Sequence, residues 1–235
     1  MKRSIVVAIT GASGAAYATR LLETLLATGC DVHLCISDVA RIVLKQELDL
    51  DVDLDHFDPS QLKLAAGDCP NFRGHRGEAV VGENGTVPLG AADAVAPGGR
   101  LFYHPFRDFS APIASGSFPT DGMVVCPCSG GTLGAIAHGA CDNLIHRAAE
   151  VHLKERRKLI LVPRETPLSL VHLRNMQQAA ESGAVVLPAS PGFYHGVNLV
   201  ADLVDFIVSR ICDQLGIANA LVQRWGEGKG LETRG

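Results

Sequence analysis

The amino-terminal end of the chain joins a short apolar run to a turn of small residues. Ser4–Ile9 reads SIVVAI, and residues 10–14, TGASG, follow it directly. β-Branched residues in a short apolar run predict a buried strand, and glycine lets the backbone approach a phosphate closely. The helix expected after the turn would present unpaired N–H groups to an anion. This beginning predicts an α/β fold whose first turn contacts a nucleotide.

The spacing of the glycines narrows the class of nucleotide. The turn is G-x-x-G, whereas dinucleotide folds use G-x-G-x-x-G, so the spacing favours a mononucleotide such as FMN. The second predicted strand ends at Ser37, where a Rossmann dehydrogenase would carry a carboxylate for the ribose, and this argues against NAD. A short glycine turn with a purely structural role is the alternative.

Composition limits the classes of protein that remain. The chain has 235 residues, enough for a substantial core, and 47% of them are hydrophobic, which fits buried contacts between subunits. Its net charge of −4 provides no basic field for nucleic acid. No apolar stretch approaches the roughly 20 residues of a membrane span. Seven cysteines without a secretory signal predict reduced thiols and a cytoplasmic protein.

Segments with strand and helix periodicity alternate along the chain. The predicted strands are Ser4–Ile9, Asp31–Ile36, Arg100–Tyr103, Gly122–Cys126, Lys158–Val162 and Ala184–Leu187. The predicted helices are Ala15–Thr28, Asp38–Glu47, Asp142–Arg156, Ser169–Ser182 and Leu199–Leu215. This alternation predicts a three-layer Rossmann-like (flavodoxin-like) α/β fold with a parallel sheet flanked by helices. We expect one domain over residues 1–235, with a Gly/Pro-rich excursion at about 59–99.

Four polar segments follow predicted strands, and ligands of parallel sheets bind at the carboxyl ends of the strands. These segments are Gly11–Gly14, Ser37, Ser129–Thr132 and Arg164–Glu165. Neither Ser13 nor Ser129 stands in the G-x-S-x-G pattern of a serine hydrolase. The hydroxyl groups of Ser129 and Thr132 therefore fit a hydrogen-bonding role at a helix start better than a role as nucleophile. A charged pair directly after a buried strand lies where catalytic groups are placed.

Patterns that would indicate a metal site are weak. Cys126-Pro127-Cys128 has no matching second pair, so two buried small side chains are the better interpretation. The alternating aspartates from Asp49 to Asp55 fit no EF-hand register and predict a solvated strand or loop edge. Arg147 and Lys154 are seven residues apart on one predicted helix and share a face. They suit either a phosphate monoester or surface ion pairs.

Five segments together resemble the UbiX-like flavin prenyltransferases, also known as aromatic acid decarboxylase subunits. They are TGASGAAYATRLLE, HRAAEVHLKERRKLILVPRE, PASPGFYH, LVDFIVSRI and QRWGE, and the likeness covers roughly residues 4–48 and 100–227. The resemblance implies a metal-independent prenyltransferase that joins the dimethylallyl group of dimethylallyl phosphate to N5 and C6 of reduced FMN. The prenylated FMN would then serve a UbiD-type decarboxylase.

The resemblance also assigns the residues of the site. FMN would be bound by Gly11, Ala12, Ser13, Ser37, Ser129, Gly130, Gly131, Thr132 and Arg164. Dimethylallyl phosphate would be bound by Ser115, Arg147, Lys154, Glu165, Tyr194, Arg210 and Trp225. Catalytic roles would belong to Glu165, as the acid–base residue, and to Glu47 and Ser13. The resemblance further implies a homo-oligomer, a dodecamer, in which Tyr194 and Arg210 complete a neighbour's site.

Two other functions remain open. FMN-dependent cysteine-type decarboxylases share the predicted fold, but they carry PASANT-like and P-x-M-N-x-x-M-W motifs where this chain has CPCSGGT and VPRETPLSL. A non-catalytic FMN carrier would explain Ser13 and Ser37, but it would leave Lys154, Glu165 and Arg210 without a role.

Overall fold

The computed structural model describes residues 2–64 and 98–224 of the chain. The strands are β1 (Ser4–Ile9), β2 (Asp31–Ile36), β3 (Arg100–Tyr103), β4 (Gly122–Cys128), β5 (Leu159–Pro163) and β6 (Val185–Val186). The helices are α1 (Ala15–Ala27), α2 (Asp38–Leu48), α3 (Gly130–Ala137), α4 (Leu144–Lys154), α5 (Leu170–Glu181) and α6 (Val200–Leu215). Short 3₁₀ turns span Pro59–Leu62 and Pro112–Ala114.

The strands form one parallel sheet in the order β3-β2-β1-β4-β5-β6. The chain builds outward from β1 in one direction and then from β4 in the other, so the order reverses between these two strands. Such a reversal is the topological switch point at which ligands of open α/β sheets bind. The Gly11–Gly14 turn follows β1 and Ser129–Thr132 follows β4, so both small-residue segments lie at this point.

Helices cover both faces of the sheet, which confirms the predicted three-layer α/β fold. On one face the core contains Leu22 of α1, Leu44 of α2 and Ile211 of α6. On the other face it contains Leu133 of α3 and Ala148 of α4, together with α5 residues. Successive residues of β1 point alternately into the two cores. Burial on both faces explains why the strand is continuously apolar.

Helix α3 is the element that the periodicity did not predict. Its sequence, GGTLGAIA, contains three glycines and therefore has a low helix propensity. The helix begins because the Ser129 side chain accepts a hydrogen bond from the Thr132 N–H. Two of its glycines serve close packing, since a Cβ on Gly130 would lie 2.9 Å from the His172 side chain and one on Gly134 would lie 3.1 Å from the Asn175 side chain, both on α5. Helix α4 begins at Leu144, two residues later than predicted, because Asn143 caps it.

The segment after α2 is irregular, as predicted for the aspartates. The Asp53 carboxylate accepts hydrogen bonds from the N–H groups of Asp55 and His56, at 2.9 and 3.0 Å. The predicted excursion at 59–99 begins with the 3₁₀ turn Pro59–Leu62, and its residues 65–97 lie outside the described part of the chain.

The side chain of Thr10 ties the carboxyl ends of β1 and β4 together. Thr10 is 1% exposed; its Oγ1 donates to the Pro127 carbonyl and accepts from the Ser129 N–H, both at 2.8 Å. Each of these groups would lose a buried partner without the hydroxyl, at a cost of roughly 1–3 kcal/mol. The switch point is therefore held by a specific hydrogen-bond pair.

Two further expectations can be compared with residues 2–64 and 98–224. The six cysteines in these ranges are all free thiols, as the absence of a secretory pattern predicts. None of the helices described there is long and apolar enough to cross a membrane.

Candidate functional site

Three helices begin at the carboxyl ends of neighbouring strands. Helix α1 follows β1, α2 follows β2 and α3 follows β4. Ser37 caps α2 by accepting from the Ala40 N–H at 3.2 Å, and Ser129 caps α3. Each helix start carries a partial positive charge, so the three starts together favour a negatively charged ligand.

Helix α2 lies across the whole Gly11–Gly14 turn. A Cβ on Gly11 would collide with the Val39 side chain at the beginning of α2. At the other end of α2, Glu47 contacts Gly14, which has φ of 122° and therefore favours glycine. Packing thus requires Gly11, and backbone conformation requires Gly14. The turn therefore does have the structural role that was given above as the alternative to contacting a nucleotide.

The carboxylate of Glu47 occupies the amino terminus of α1. Its Oε2 accepts from the N–H groups of Gly14 and Ala15, at 2.9 and 2.8 Å. Burial raises the pKa of Glu47, but hydrogen bonds from Ser13, Gly14 and Ala15 outweigh it and hold the pKa below its usual value. Gly14 itself offers no capping side chain, so Glu47 supplies the cap from 33 residues away.

The expectation that the turn contacts a ligand phosphate stays a prediction, and this contact argues for another position. The N–H groups that a phosphate would use already bond to Glu47, and the carboxylate would repel a second anion. Helix α2 carries Asp38 in its first turn, whereas α3 has no acidic residue there. The beginning of α3 is therefore the most favourable of the three positions for a phosphate.

Arg164 connects the end of β5 to the turn after β1. Its Nε donates to the Ser13 carbonyl at 3.2 Å. The next residue, Glu165, is exposed, and its Oε1 accepts from the Thr166 N–H at 3.1 Å. The structure thus brings Ser13, Arg164 and Glu47 together, with Glu165 at the same edge of the sheet.

Two residues near the helix starts were missed by the sequence reasoning. The Tyr17 ring lies beside Gly14, and burial raises the pKa of Tyr17, with Cys126, Arg164 and Glu47 as the neighbouring titratable groups. His172 of α5 borders the beginning of α3, because a Cβ on Gly130 would lie 2.9 Å from its Nε2. Tyr17 stands three residues after Gly14, and this helical spacing could have indicated its position. No local sequence pattern indicates His172.

Ser115, Arg147 and Lys154 lie together, but at a different place. Arg147 Nε donates to the Ala114 carbonyl at 2.9 Å, and Lys154 Nζ lies 2.8 Å from the Cβ position of Gly116. This segment leads into β4, and Lys154 precedes β5, so the group lies toward the amino ends of the strands. Arg147 pairs with Glu150 and Lys154 with Glu155, so the ion-pair interpretation fits the chain by itself.

Tyr194, in the segment before α6, and Arg210, on α6, form a third group. The Tyr194 ring meets Phe206 edge-on at 5.8 Å, and Arg210 follows one turn later on the same face. Helix α6 packs on the sheet face opposite to α4. Trp225 lies outside the described residues. One chain therefore holds the predicted substrate residues in separate groups.

The cysteine pair of β4 behaves as two small apolar side chains, as predicted. Cys126 and Cys128 are buried, and burial raises the pKa of both thiols, that of Cys128 to about 12. Within residues 2–64 and 98–224, no group of three or more His, Cys, Asp and Glu side chains is arranged to hold a metal ion.

The cap on α1 predicts a pH-dependent contribution to stability. Because the folded pKa of Glu47 lies below its unfolded value of 4.5, its contribution is present above pH 4.5 and lost as the pH falls through the folded pKa. Urea unfolding should therefore show Glu47→Gln to be less stable than the wild type near neutral pH, with the difference shrinking in acid. The matched control is Glu181→Gln, because the Glu181 carboxylate accepts a hydrogen bond from Gln177 on the exposed face of α5. A Glu47→Gln difference independent of pH would contradict the cap.

Comparison with known proteins gives consistent results. The family model described as Flavoprotein matches residues 1–212. The flavin prenyltransferase UbiX of Pseudomonas aeruginosa is 44% identical over 223 residues, which cover 95% of this chain and 94% of that protein.

Solved structures extend the likeness to the fold. The crystal structure of AnUbiX (PadA1) in complex with FMN and dimethylallyl pyrophosphate has a TM-score of 0.75 and 36% identity, covering 97% of this chain and all of that one (100%). A dodecameric FMN-dependent UbiX-like decarboxylase from Escherichia coli O157:H7 has a TM-score of 0.72 and 34% identity, covering 94% and 98%. The chain belongs to the Flavoprotein family and, within it, to the UbiX-like flavin prenyltransferases.

Proposed function

We propose that this chain transfers the dimethylallyl group of dimethylallyl phosphate to N5 and C6 of reduced FMN. The observation that carries the proposal is the convergence of three helix starts and Arg164 at the switch point, in a chain of this family. FMN binding is supported by the relative that was crystallised with FMN. That structure also contains dimethylallyl pyrophosphate, so the monophosphate and the pyrophosphate need to be compared as substrates.

The charges at the edge of the sheet orient the flavin. Its phosphate would bind the beginning of α3, where Ser129 and Thr132 supply hydroxyls and Gly130 and Gly131 supply N–H groups. A Cβ on Gly131 would meet no atom within 4 Å, so the space in front of this helix end is open. The flavin ring would then lie against the Gly11–Gly14 turn, with Glu47 and Arg164 beside it.

The chemistry requires a site that stabilises a leaving phosphate and moves a proton. As the allylic C–O bond breaks, the phosphate leaves with the electron pair, and cations bind it more strongly as its charge grows. Lys154, Arg210 and the Tyr194 hydroxyl are the groups proposed for this task. Reduced FMN supplies the nucleophilic atoms. N5 would form the first bond, a carbon–nitrogen bond, and give up its proton. When C6 then forms the carbon–carbon bond that closes the ring, the released phosphate would give a proton to the prenyl alkene, and Glu165 would take the proton that leaves C6.

We infer that the complete site forms between copies of the chain. A single chain holds Arg164, Lys154 and Arg210 in three different groups. Exposed apolar side chains lie close to Glu165 and Tyr194 in the sequence and suit burial against another subunit. They are Leu168, Leu170, Val171, Leu173 and Phe193. The dodecameric relative supports a homo-oligomer of this kind. Transfer of the product to a cytoplasmic UbiD-type decarboxylase is the proposed next step.

The proposed position of the FMN phosphate predicts a charge-specific effect at Gly131. Gly131→Asp should weaken FMN binding by about tenfold or more relative to Gly131→Asn, because only the aspartate places a negative charge at the phosphate. Flavin fluorescence titration measures both affinities. The ligand-free Gly131→Asp protein should be at least as stable as Gly131→Asn, since a carboxylate suits a helix start. Equal FMN affinities would move the phosphate away from α3.

The proposed acid–base role predicts a kinetic effect at Glu165. Glu165→Gln should slow prenylation by about 10²–10⁴ while FMN affinity stays nearly unchanged, because the amide keeps the shape but cannot titrate. The assay incubates each protein anaerobically with reduced FMN and dimethylallyl phosphate, with the pyrophosphate in parallel, and measures the mass and absorbance of the flavin. Glu181→Gln is the control.

Two outcomes of this assay would count against the proposal, each in its own way. Wild-type turnover by Glu165→Gln would show that the leaving phosphate carries the protons and would reduce Glu165 to a positioning residue. A wild-type protein that binds FMN but forms no prenylated flavin from either substrate would favour the FMN carrier.

A further inference from the structure

The carboxylate of Asp213 organises the charged surface at the end of α6. Its Oδ2 accepts from Arg210 Nη1 at 2.9 Å and from Arg224 Nη1 at 3.3 Å. Its Oδ1 accepts from Arg224 Nη2 at 2.8 Å and from Asn219 Nδ2 at 3.3 Å. One carboxylate thus joins α6 to two residues of the segment that follows it.

This arrangement holds two guanidinium groups side by side. Because Arg210 and Arg224 share one carboxylate oxygen, their charged ends are closer than their mutual repulsion would otherwise allow. The Asp213 side chain is 19% exposed, whereas those of Arg210 and Arg224 are 49% and 46% exposed. The negative charge is covered, and the cations face outward.

A second ion pair on the same helix shows what a purely structural arrangement looks like. The Asp205 carboxylate accepts a hydrogen bond from Arg20 Nε at 2.6 Å and thereby joins α6 to α1. There Arg20, whose side chain is only 13% exposed, pairs with both Asp205 and Glu23, so its charge is used between two packed helices. Asp213, by contrast, holds two guanidinium groups that are each about half exposed.

We propose that Asp213 is a positioning residue that holds Arg210 and Arg224 as a two-guanidinium fork for the phosphate of the allylic substrate. The inference rests on the proposed function, and it adds Arg224 as a phosphate-binding residue and Asp213 as the group that aligns both arginines. Planar guanidinium groups bind phosphate oxygens through paired N–H donors, and this geometry is lost when the group rotates. Hydrogen bonds from Arg224, opposed by burial and aided by Asn219 and Arg210, hold the pKa of Asp213 below its usual value, which keeps the carboxylate ionised as the acceptor for both arginines.

The test compares Asp213→Asn with Asp205→Asn. Asp213→Asn should raise the KM for dimethylallyl phosphate and the inhibition constant of inorganic phosphate by about tenfold each, the size of one charge-assisted hydrogen bond. The FMN dissociation constant should stay within about twofold, because the fork is distant from the helix starts. Asp205→Asn should lower thermal stability without changing the inhibition constant of phosphate. Equal effects of the two substitutions on that constant would overturn the proposal.

A double-mutant cycle separates positioning from general destabilisation. If Asp213 acts through the two arginines, then Asp213→Asn in an Arg210→Gln/Arg224→Gln background should add less than about twofold to the effect of that background on phosphate inhibition. Fully additive effects would contradict the fork. Arg224→Gln gives a second variant that leaves Asp213 in place, and it should weaken phosphate inhibition in the same direction.

The result can be distinguished from failure of the proposed function. If the wild type forms no prenylated flavin, the proposed function fails, and binding of inorganic phosphate, followed by phosphorus NMR, still compares the variants. Loss of phosphate binding in Asp213→Asn but not in Asp205→Asn would support the fork, and unchanged binding in both would overturn it.

Discussion

The hydrogen bonds of Thr10 hold together the place on which the whole site depends. This side chain joins the ends of β1 and β4, the two strands between which the sheet order reverses. Helices α1 and α3 begin just beyond this junction, and their directions follow from it. Arg164 reaches the same region from β5 through the Ser13 carbonyl. Backbone geometry at one buried hydroxyl thus determines where these helix starts and Arg164 meet.

Glu47 then divides this edge of the sheet into regions of different charge. Its carboxylate satisfies the first N–H groups of α1, so that helix start no longer attracts a phosphate. The beginning of α3 retains its positive character, because no acidic side chain stands in its first turn. A glycine-rich turn after the first strand is commonly interpreted as a phosphate site, and here the carboxylate of a residue 33 positions away accepts a hydrogen bond from the last N–H of that turn.

Local patterns predicted the fold well because each side of β1 is buried and each of the five predicted helices has a clear apolar period. They failed for α3, where Gly130 and Gly134 reflect packing against α5 and not helix propensity. The roles of Glu47, Tyr17 and His172 at the helix starts depend on contacts between distant parts of the chain, which no window of sequence contains. The family resemblance supplied Lys154, Glu165 and Arg210 as site residues, but their separation appears only once chain direction is known. Residues 65–97 and Trp225 lie outside what the structure describes.

The central claim is that the catalytic site is shared between copies, with Glu165 and Arg210 contributed by different chains. The most direct measurement is prenylation by mixed oligomers of Glu165→Gln and Arg210→Gln, co-expressed with different tags and purified through both. Mixed assemblies should contain some sites with both native residues, and they should therefore be clearly more active than either variant alone. Mixed assemblies no more active than the single variants would show that both residues act within one chain and would contradict the claim.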